Sequence, residues 1–283
     1  MSWETPPNLP PSPAPDEEFC APPSTQPTLP SGESTGPSPW TPRNLLVLVG
    51  CAALALVAAN FLTVTAYELL RPLAGWKAAS KKLGDNTFFL ISLQTVFHAL
   101  LFGVIYLFLA INHHLPFWTA LKWRKPSLGL ARRFFLGGMA LALLIQFAPP
   151  ILPDRDDFPM QRLFNSPQAG YALAAFAILI APFMEELIFR GVLFSFFEHL
   201  VGWRFAVGGT GLLFAALHVS EYWGAWNHVL LIAVVGLVFS LARGLTGSLT
   251  PSYILHVAYN SALIAGLYYQ TQGFTNLAPA ILR

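Results

Sequence analysis

Residues 171–197 read YALAAFAILIAPFMEELIFRGVLFSFF, an almost unbroken apolar run interrupted by two adjacent carboxylates, Glu185 and Glu186, and one guanidinium, Arg190. The run is long enough to cross a bilayer, which takes about 20 apolar residues in a helix. A charge at the centre of such a helix costs on the order of 2.5–3.5 kcal/mol by insertion scales, so three of them call for a compensating arrangement. Helix geometry supplies part of it. Glu186 and Arg190 stand four apart with the acid first, the favourable order for an ion pair on one face. Glu185 lies about 100° round the helix and has no partner at that spacing.

The rest of the chain is built of similar material. Of its 283 residues 54% are hydrophobic and 11% charged, with a mean hydropathy of +0.54, whereas a soluble domain carries roughly 25% charged residues. The expected fold is an all-α polytopic membrane bundle of about seven transmembrane helices, over Leu45–Leu70, Phe88–Asn112, Phe134–Leu152, Tyr171–Phe197, Phe205–Trp223, His228–Ala242 and Ser252–Tyr269. The His228–Ala242 run is short, which predicts tilt, extension into Trp226 or incomplete crossing. Continuous rather than alternating hydrophobicity disfavours a β-barrel.

Residues 1–43 are dense in Pro and Ser, with Glu4, Asp16, Glu17, Glu18 and Glu33 against Arg43. Such a stretch cannot bury a core and is expected to be a disordered acidic tail, with Pro-rich docking of a partner as the alternative use. It lacks a basic n-region and a short apolar h-region, so the first membrane helix is expected to direct insertion. Sidedness is poorly determined: Arg71, Lys77, Lys81 and Lys82 in one loop face Lys122, Arg124, Lys125, Arg132 and Arg133 in the next, and positive-inside counting nearly cancels. Trp118 and Trp123 among the second group predict an interfacial segment. A net charge of +2 gives no support for nucleic-acid binding, and Cys20 and Cys51 define no disulfide framework.

The polar residues inside the spans divide into two groups. Gln94 and His98, Asn60 and Gln146 read as interhelical glue. Glu68, His113, His114, Glu198, His199 and His228 fall near span ends, where headgroups or water solvate them, and the remaining Lys and Arg read as loop residues. Ser248, between Gly247 and Pro251, reads as a turn. The second group is different. His218 follows Phe214 by four positions, and His256 and Asn260 repeat that spacing on the last helix. With Glu185, Glu186 and Arg190 they would form one polar centre, and the expectation is a water-accessible cavity shared by the two glutamates, the two histidines and the asparagine. A carboxylate and an imidazole flanking a water can remove its proton. Imidazole and carboxamide at i,i+4 can direct two donors at one oxygen. Zinc held by His218, His256 and Glu185 is the competing use of the same groups, and spacing alone does not separate the two. Neither H-E-x-x-H nor G-x-S-x-G occurs.

Glu185-Glu186-Leu187-Ile188-Phe189-Arg190 resembles the E-E-x-x-x-R motif of the CAAX protease and bacteriocin-processing family, the type II CAAX prenyl endopeptidase relatives known in bacteria as abortive-infection proteins. Phe214 to His218 resembles its F-x-x-x-H motif, and His256 to Asn260 its H-x-x-x-N motif. The resemblance runs from about Tyr171 to Leu267. It implies an intramembrane endopeptidase in which Glu185 activates water with His218, Glu186 pairs with Arg190, and His256 and Asn260 stabilise the oxyanion. It implies no metal or other cofactor, a peptide or protein substrate of CAAX-type prenyl-protein or bacteriocin and peptide processing, and a multi-pass location in the bacterial cytoplasmic membrane. The expected organisation is then a tail (1–43), accessory membrane helices with basic loops (44–170), a catalytic core (171–270) and a short C-terminal tail (271–283). A non-catalytic membrane scaffold on the same fold and a proton-coupled transporter are the alternative functions, since intramembrane Glu and His serve relays as well.

Overall fold

The structure, a computed structural model, describes residues 1, 39–77, 83–84, 86–152 and 162–276. Nearly all of the expected N-terminal tail, and residues 277–283 of the C-terminal one, lie outside the described residues, and the account that follows concerns the unit Ser38–Arg283. No strand occurs among the described residues, and the chain is an all-helical integral membrane protein.

The helices are α1 (Pro42–Leu70), α2 (Thr87–Leu107), α3 (Phe117–Ala120), α4 (Leu128–Gln146), α5 (Pro167–Ala175), α6 (Ala181–Glu186), α7 (Phe194–Val201), α8 (Trp203–His218), α9 (Trp226–Thr246) and α10 (Leu249–Gln270). Their starts are written in the sequence. Thr41, Asn86, Ser127 and Ser166 each accept a main-chain N–H of the first turn of α1, α2, α4 and α5, and Pro42 and Pro167 open their helices where no N–H is needed. Gly247, at φ 61°, closes α9 in the left-handed conformation and allows α10 to begin at once.

Five segments are long and apolar enough to cross a membrane: Pro42–Leu70, Thr87–Asn112, Leu128–Gln146, Pro167–Val201 and Trp226–Thr246. Helices stand at all seven expected places, but α8 has only 16 residues, and the apolar character of the continuous helix α10 is broken by Thr250, Ser252, His256, Asn260 and Ser261. Two boundaries differ from expectation because charge was taken as an end. Helix α4 starts before Arg132 and Arg133, which lie exposed near its start, where long side chains reach polar headgroups. Helix α9 continues past Ala242 through Arg243, which is fully buried rather than a loop residue.

Packing pairs α1 with α2, α4 with α10 and α8 with α9. The α4–α10 approach depends on Gly138, where a Cβ would strike the Leu255 carbonyl. One apolar cluster joins Trp40, Leu101, Leu109, Leu121, Leu187 and Val192, and another joins Ala142, Val235, Phe239, Leu255 and Tyr259. Leu46, Leu54, Val57 and Phe61 on α1 stay exposed, as a lipid-facing surface requires. The expected interfacial segment is tied inward by Trp123, whose ring lies 5.9 Å from Phe183 on α6 and 5.3 Å from Tyr253 on α10.

Candidate active site

The segment 167–201 is continuously helical but not uniformly α. Residues Phe176–Ile180 and Leu187–Leu193 form π-helical turns on either side of α6, the helix that carries Glu185 and Glu186. Pro182 accounts for the first: it has no N–H to give and its ring crowds the carbonyl four residues back, so the turn before it widens. A π turn leaves a main-chain carbonyl without its helical partner. Both widened turns have one taken by a side chain from elsewhere. Asn260 Nδ2 donates to Ala177 O at 2.8 Å, and Arg243 Nε donates to Arg190 O at 3.2 Å.

Glu186 and Arg190 form the ion pair expected from their spacing, Nη1 to Oε1 at 3.0 Å, with both side chains fully buried. Arg190 Nη2 donates to Gly236 O at 2.8 Å, and its guanidinium lies 4.7 Å from the Phe214 ring centroid. The second arm of the carboxylate meets Ser252, whose Oγ is 2.5 Å from Oε2 and 2.9 Å from Phe239 O. His256 Nδ1 donates to Glu186 Oε1 at 2.9 Å. Glu186 is thus closed in on every side, as a buried carboxylate must be.

Glu185 behaves differently. Its side chain is 25% exposed, and Oε2 lies 3.6 Å from His256 Nε2, so it has the partner that helical spacing alone did not reveal. That separation is too long for a direct hydrogen bond and leaves the carboxylate room to hold a water. His256 therefore stands between the two carboxylates, one ring nitrogen toward each.

A cavity of about 540 Å³ is lined by Glu185, His218, His256 and Asn260 together. Glu186 is not on it, which corrects the expectation of a cavity shared by both glutamates. His218 Nδ1 donates to Phe214 O at 2.7 Å. A carbonyl only accepts, so the proton sits on Nδ1, and Nε2 is the nitrogen left to accept from a water. The remaining wall is largely apolar, with Leu173, Phe176, Ile232, Leu263 and Leu267. Among the described residues no group of three or more His, Cys, Asp or Glu is placed to hold a metal ion, so the trio considered for zinc is not drawn together as ligands.

Several groups at or near the site were either not singled out by sequence or given another role there: Gln94 and Gln146 as glue between helices, and Arg243 as a loop residue. Ser252 lies four residues before His256, as His256 lies four before Asn260, so the polar stripe on α10 was one term longer than read. Gln94, Gln146 and Glu221 also line the cavity. Glu221 lies in the turn after α8; removal from bulk water and the Glu185 carboxylate lift its carboxyl above the usual range, and His218 works against that rise. Arg243, besides its bond to Arg190 O, reaches Glu198 Oε2 at 3.5 Å, and Glu198 reaches Lys122 Nζ at 3.2 Å.

Comparison with known proteins bears on this segment. An uncharacterized 24.3 kDa protein of Escherichia coli is 36% identical over 84 residues, which are 28% of this chain and 36% of that protein. The chain thus matches little more than a third of the length of that curated relative. No solved structure matches. The family model described as type II CAAX prenyl endopeptidase Rce1-like matches residues 167–262, the stretch that contains Glu185, Glu186, Arg190, His218, His256 and Asn260.

Proposed function

We propose that this chain is an intramembrane endopeptidase that hydrolyses a peptide bond with a water activated by Glu185 and His218. The observation that carries the reading is that Glu185, His218, His256 and Asn260, from three separate helical segments, line one cavity while Glu186 and Arg190 are sealed behind it. A water between Glu185 and the free Nε2 of His218 gives its proton to the carboxylate as its oxygen attacks the peptide carbonyl. The tetrahedral oxyanion is met by His256 Nε2–H and an N–H of the Asn260 carboxamide, which Ala177 O holds in orientation. Because Glu186 accepts from Nδ1, a His256 that donates from Nε2 is an imidazolium. Protonated Glu185 returns its proton to the leaving amine, and the C–N bond breaks.

The substrate class in this reading is a peptide segment at the bilayer, in CAAX-type prenyl-protein or bacteriocin and peptide processing, and the location is the bacterial cytoplasmic membrane. The test is turnover of internally quenched peptides by detergent-purified protein. Glu185→Gln keeps the size and removes the base, so it is expected to abolish cleavage without unfolding the protein; full activity in that variant refutes the reading.

A further inference from the structure

Gln94 and His98 on α2 lie outside the segment matched by the family, and glue between helices was the expectation for both. The structure argues against that role for Gln94. Its one side-chain partner among the described residues is His98 on its own helix, Nε2 to Nε2 at 3.5 Å, so among these residues it bridges no two helices. Thr87, Leu90, Ile91 and Gln94 present one face of α2 to the cavity that Glu185 and His218 line. His98 continues this face one turn further on. It is buried, and its ring stacks on Phe176 at 5.9 Å. Its Nδ1 is buried without a hydrogen-bond partner among the described residues.

We propose that Gln94, held at one end by His98, is a subsite that binds the main chain of an extended peptide on the α2 side of this cavity. The proposal rests on the peptidase reading and adds to it a group from the accessory helices. A peptide bond that is to be attacked must be free of helical hydrogen bonding, so its neighbouring N–H and C=O groups enter a largely apolar chamber unpaired. Each unpaired group would be strongly unfavourable there. A carboxylate can only accept, so Glu185 cannot satisfy a substrate carbonyl. A carboxamide carries a donor and an acceptor side by side, the complement of the N–H and C=O that one residue of an extended peptide presents on the same side. With one N–H given to His98, Gln94 keeps its carbonyl oxygen and second N–H for that purpose. Asn260 gives one N–H to Ala177 O and its other to the oxyanion, and His256 is held by Glu186, whereas Gln94 gives one N–H to His98 and makes no other hydrogen bond among the described residues.

The test is binding of a fluorescein-labelled apolar peptide to the full-length Glu185→Gln protein, followed by fluorescence anisotropy. It is repeated with peptides in which each backbone N–H in turn is replaced by an ester oxygen. One ester is expected to bind several-fold more weakly than the amide, Gln94→Leu is expected to weaken the amide peptide by about three- to tenfold, and that ester is expected to lose nothing further in Gln94→Leu. In the Glu185 enzyme, Gln94→Leu raises KM more than it lowers kcat. Equal affinity of all esters, an ester penalty that persists in Gln94→Leu, or no saturable binding overturns the subsite; the ester series needs no Gln94 variant and stands even if Gln94→Leu fails to fold. Full cleavage by Glu185→Gln would instead overturn the peptidase reading and leave the binding result in place.

Discussion

Glu185 and Glu186 are adjacent and chemically identical, yet their replacement by Gln should have opposite signatures. Gln at 186 keeps most of the local geometry: a carbonyl at the Oε1 position still accepts from Arg190 and His256, and an NH2 at the Oε2 position can donate to Ser252, whose own proton then goes to Phe239 O. What is lost is the charge. With charge centres about 4 Å apart, the pair is worth about 4 kcal/mol at an effective dielectric of 20. Arg190 keeps Gly236 O and the Phe214 ring face, which soften the loss. The expected destabilisation is about 3–4 kcal/mol, in line with the cost of breaking a buried pair from one side. At 2–4 °C per kcal/mol for a chain of this size, the unfolding midpoint should fall by roughly 10 °C. Glu185→Gln removes a quarter-exposed carboxylate with one contact at 3.6 Å, and its midpoint should stay within about 3 °C of the parent. Intrinsic tryptophan fluorescence during heating in detergent measures both. A double variant, Glu186→Gln with Arg190→Met, should lose less than the two single changes added together, because the second removes the charge that the first strands. Equal midpoints for the two Gln variants, or strict additivity in the double variant, would refute the division between a structural and a reactive glutamate.

Asn260→Ala should lower kcat by roughly 10²–10³-fold with a smaller change in KM, the scale of one oxyanion donor, and an unchanged kcat would remove Asn260 from that role. His256→Ala should do at least as much harm to kcat and also lower the unfolding midpoint, since it takes a donor from Glu186; a normal midpoint would contradict the bridging geometry. Exhaustive chelation should leave peptide cleavage intact, with metal analysis finding well below one zinc per chain; stoichiometric zinc whose removal stops turnover and whose return restores it would replace the proposed mechanism. Gly138→Leu should destabilise by about 1–3 kcal/mol or more, because α4 and α10 must separate to admit the side chain. A midpoint unchanged by Gly138→Leu would mean that this helix pair does not limit stability.

The sequence was most legible where chemistry and helical spacing coincide. Glu186 and Arg190 could be paired from their order four apart, and His256 and Asn260 placed on one face of α10, because both inferences need only a regular helix. The same assumption hid the two π segments, whose widened turns follow from Pro182 and from bonds to Asn260 and Arg243 that come from distant parts of the chain. Arg243 was misplaced for a related reason. A charge at the end of an apolar run looks like the end of the helix, and only packing reveals that Arg190 O and Glu198 can take it into the interior. Gln94 and Gln146 carry no local signal of their destination, since which face of α2 or α4 meets a cavity is decided by the other helices.

One residue step separates the two glutamates, and the surroundings convert that step into a difference of function. A rotation of about 100° carries the second carboxylate from the cavity wall into the packing between α9 and α10, where Gly236 O takes Arg190 and Ser252 and His256 take Glu186. The reactive position can be left incompletely partnered only because the adjacent one is fully neutralised. By fixing Arg190 to Glu186 and placing His256 between the carboxylates, the fold leaves Glu185 one imidazole neighbour at 3.6 Å and an open side toward His218's cavity. The widened turns on both sides of α6 are held from neighbouring helices, so the helix phase at Glu185 is set by Pro182 together with α9 and α10.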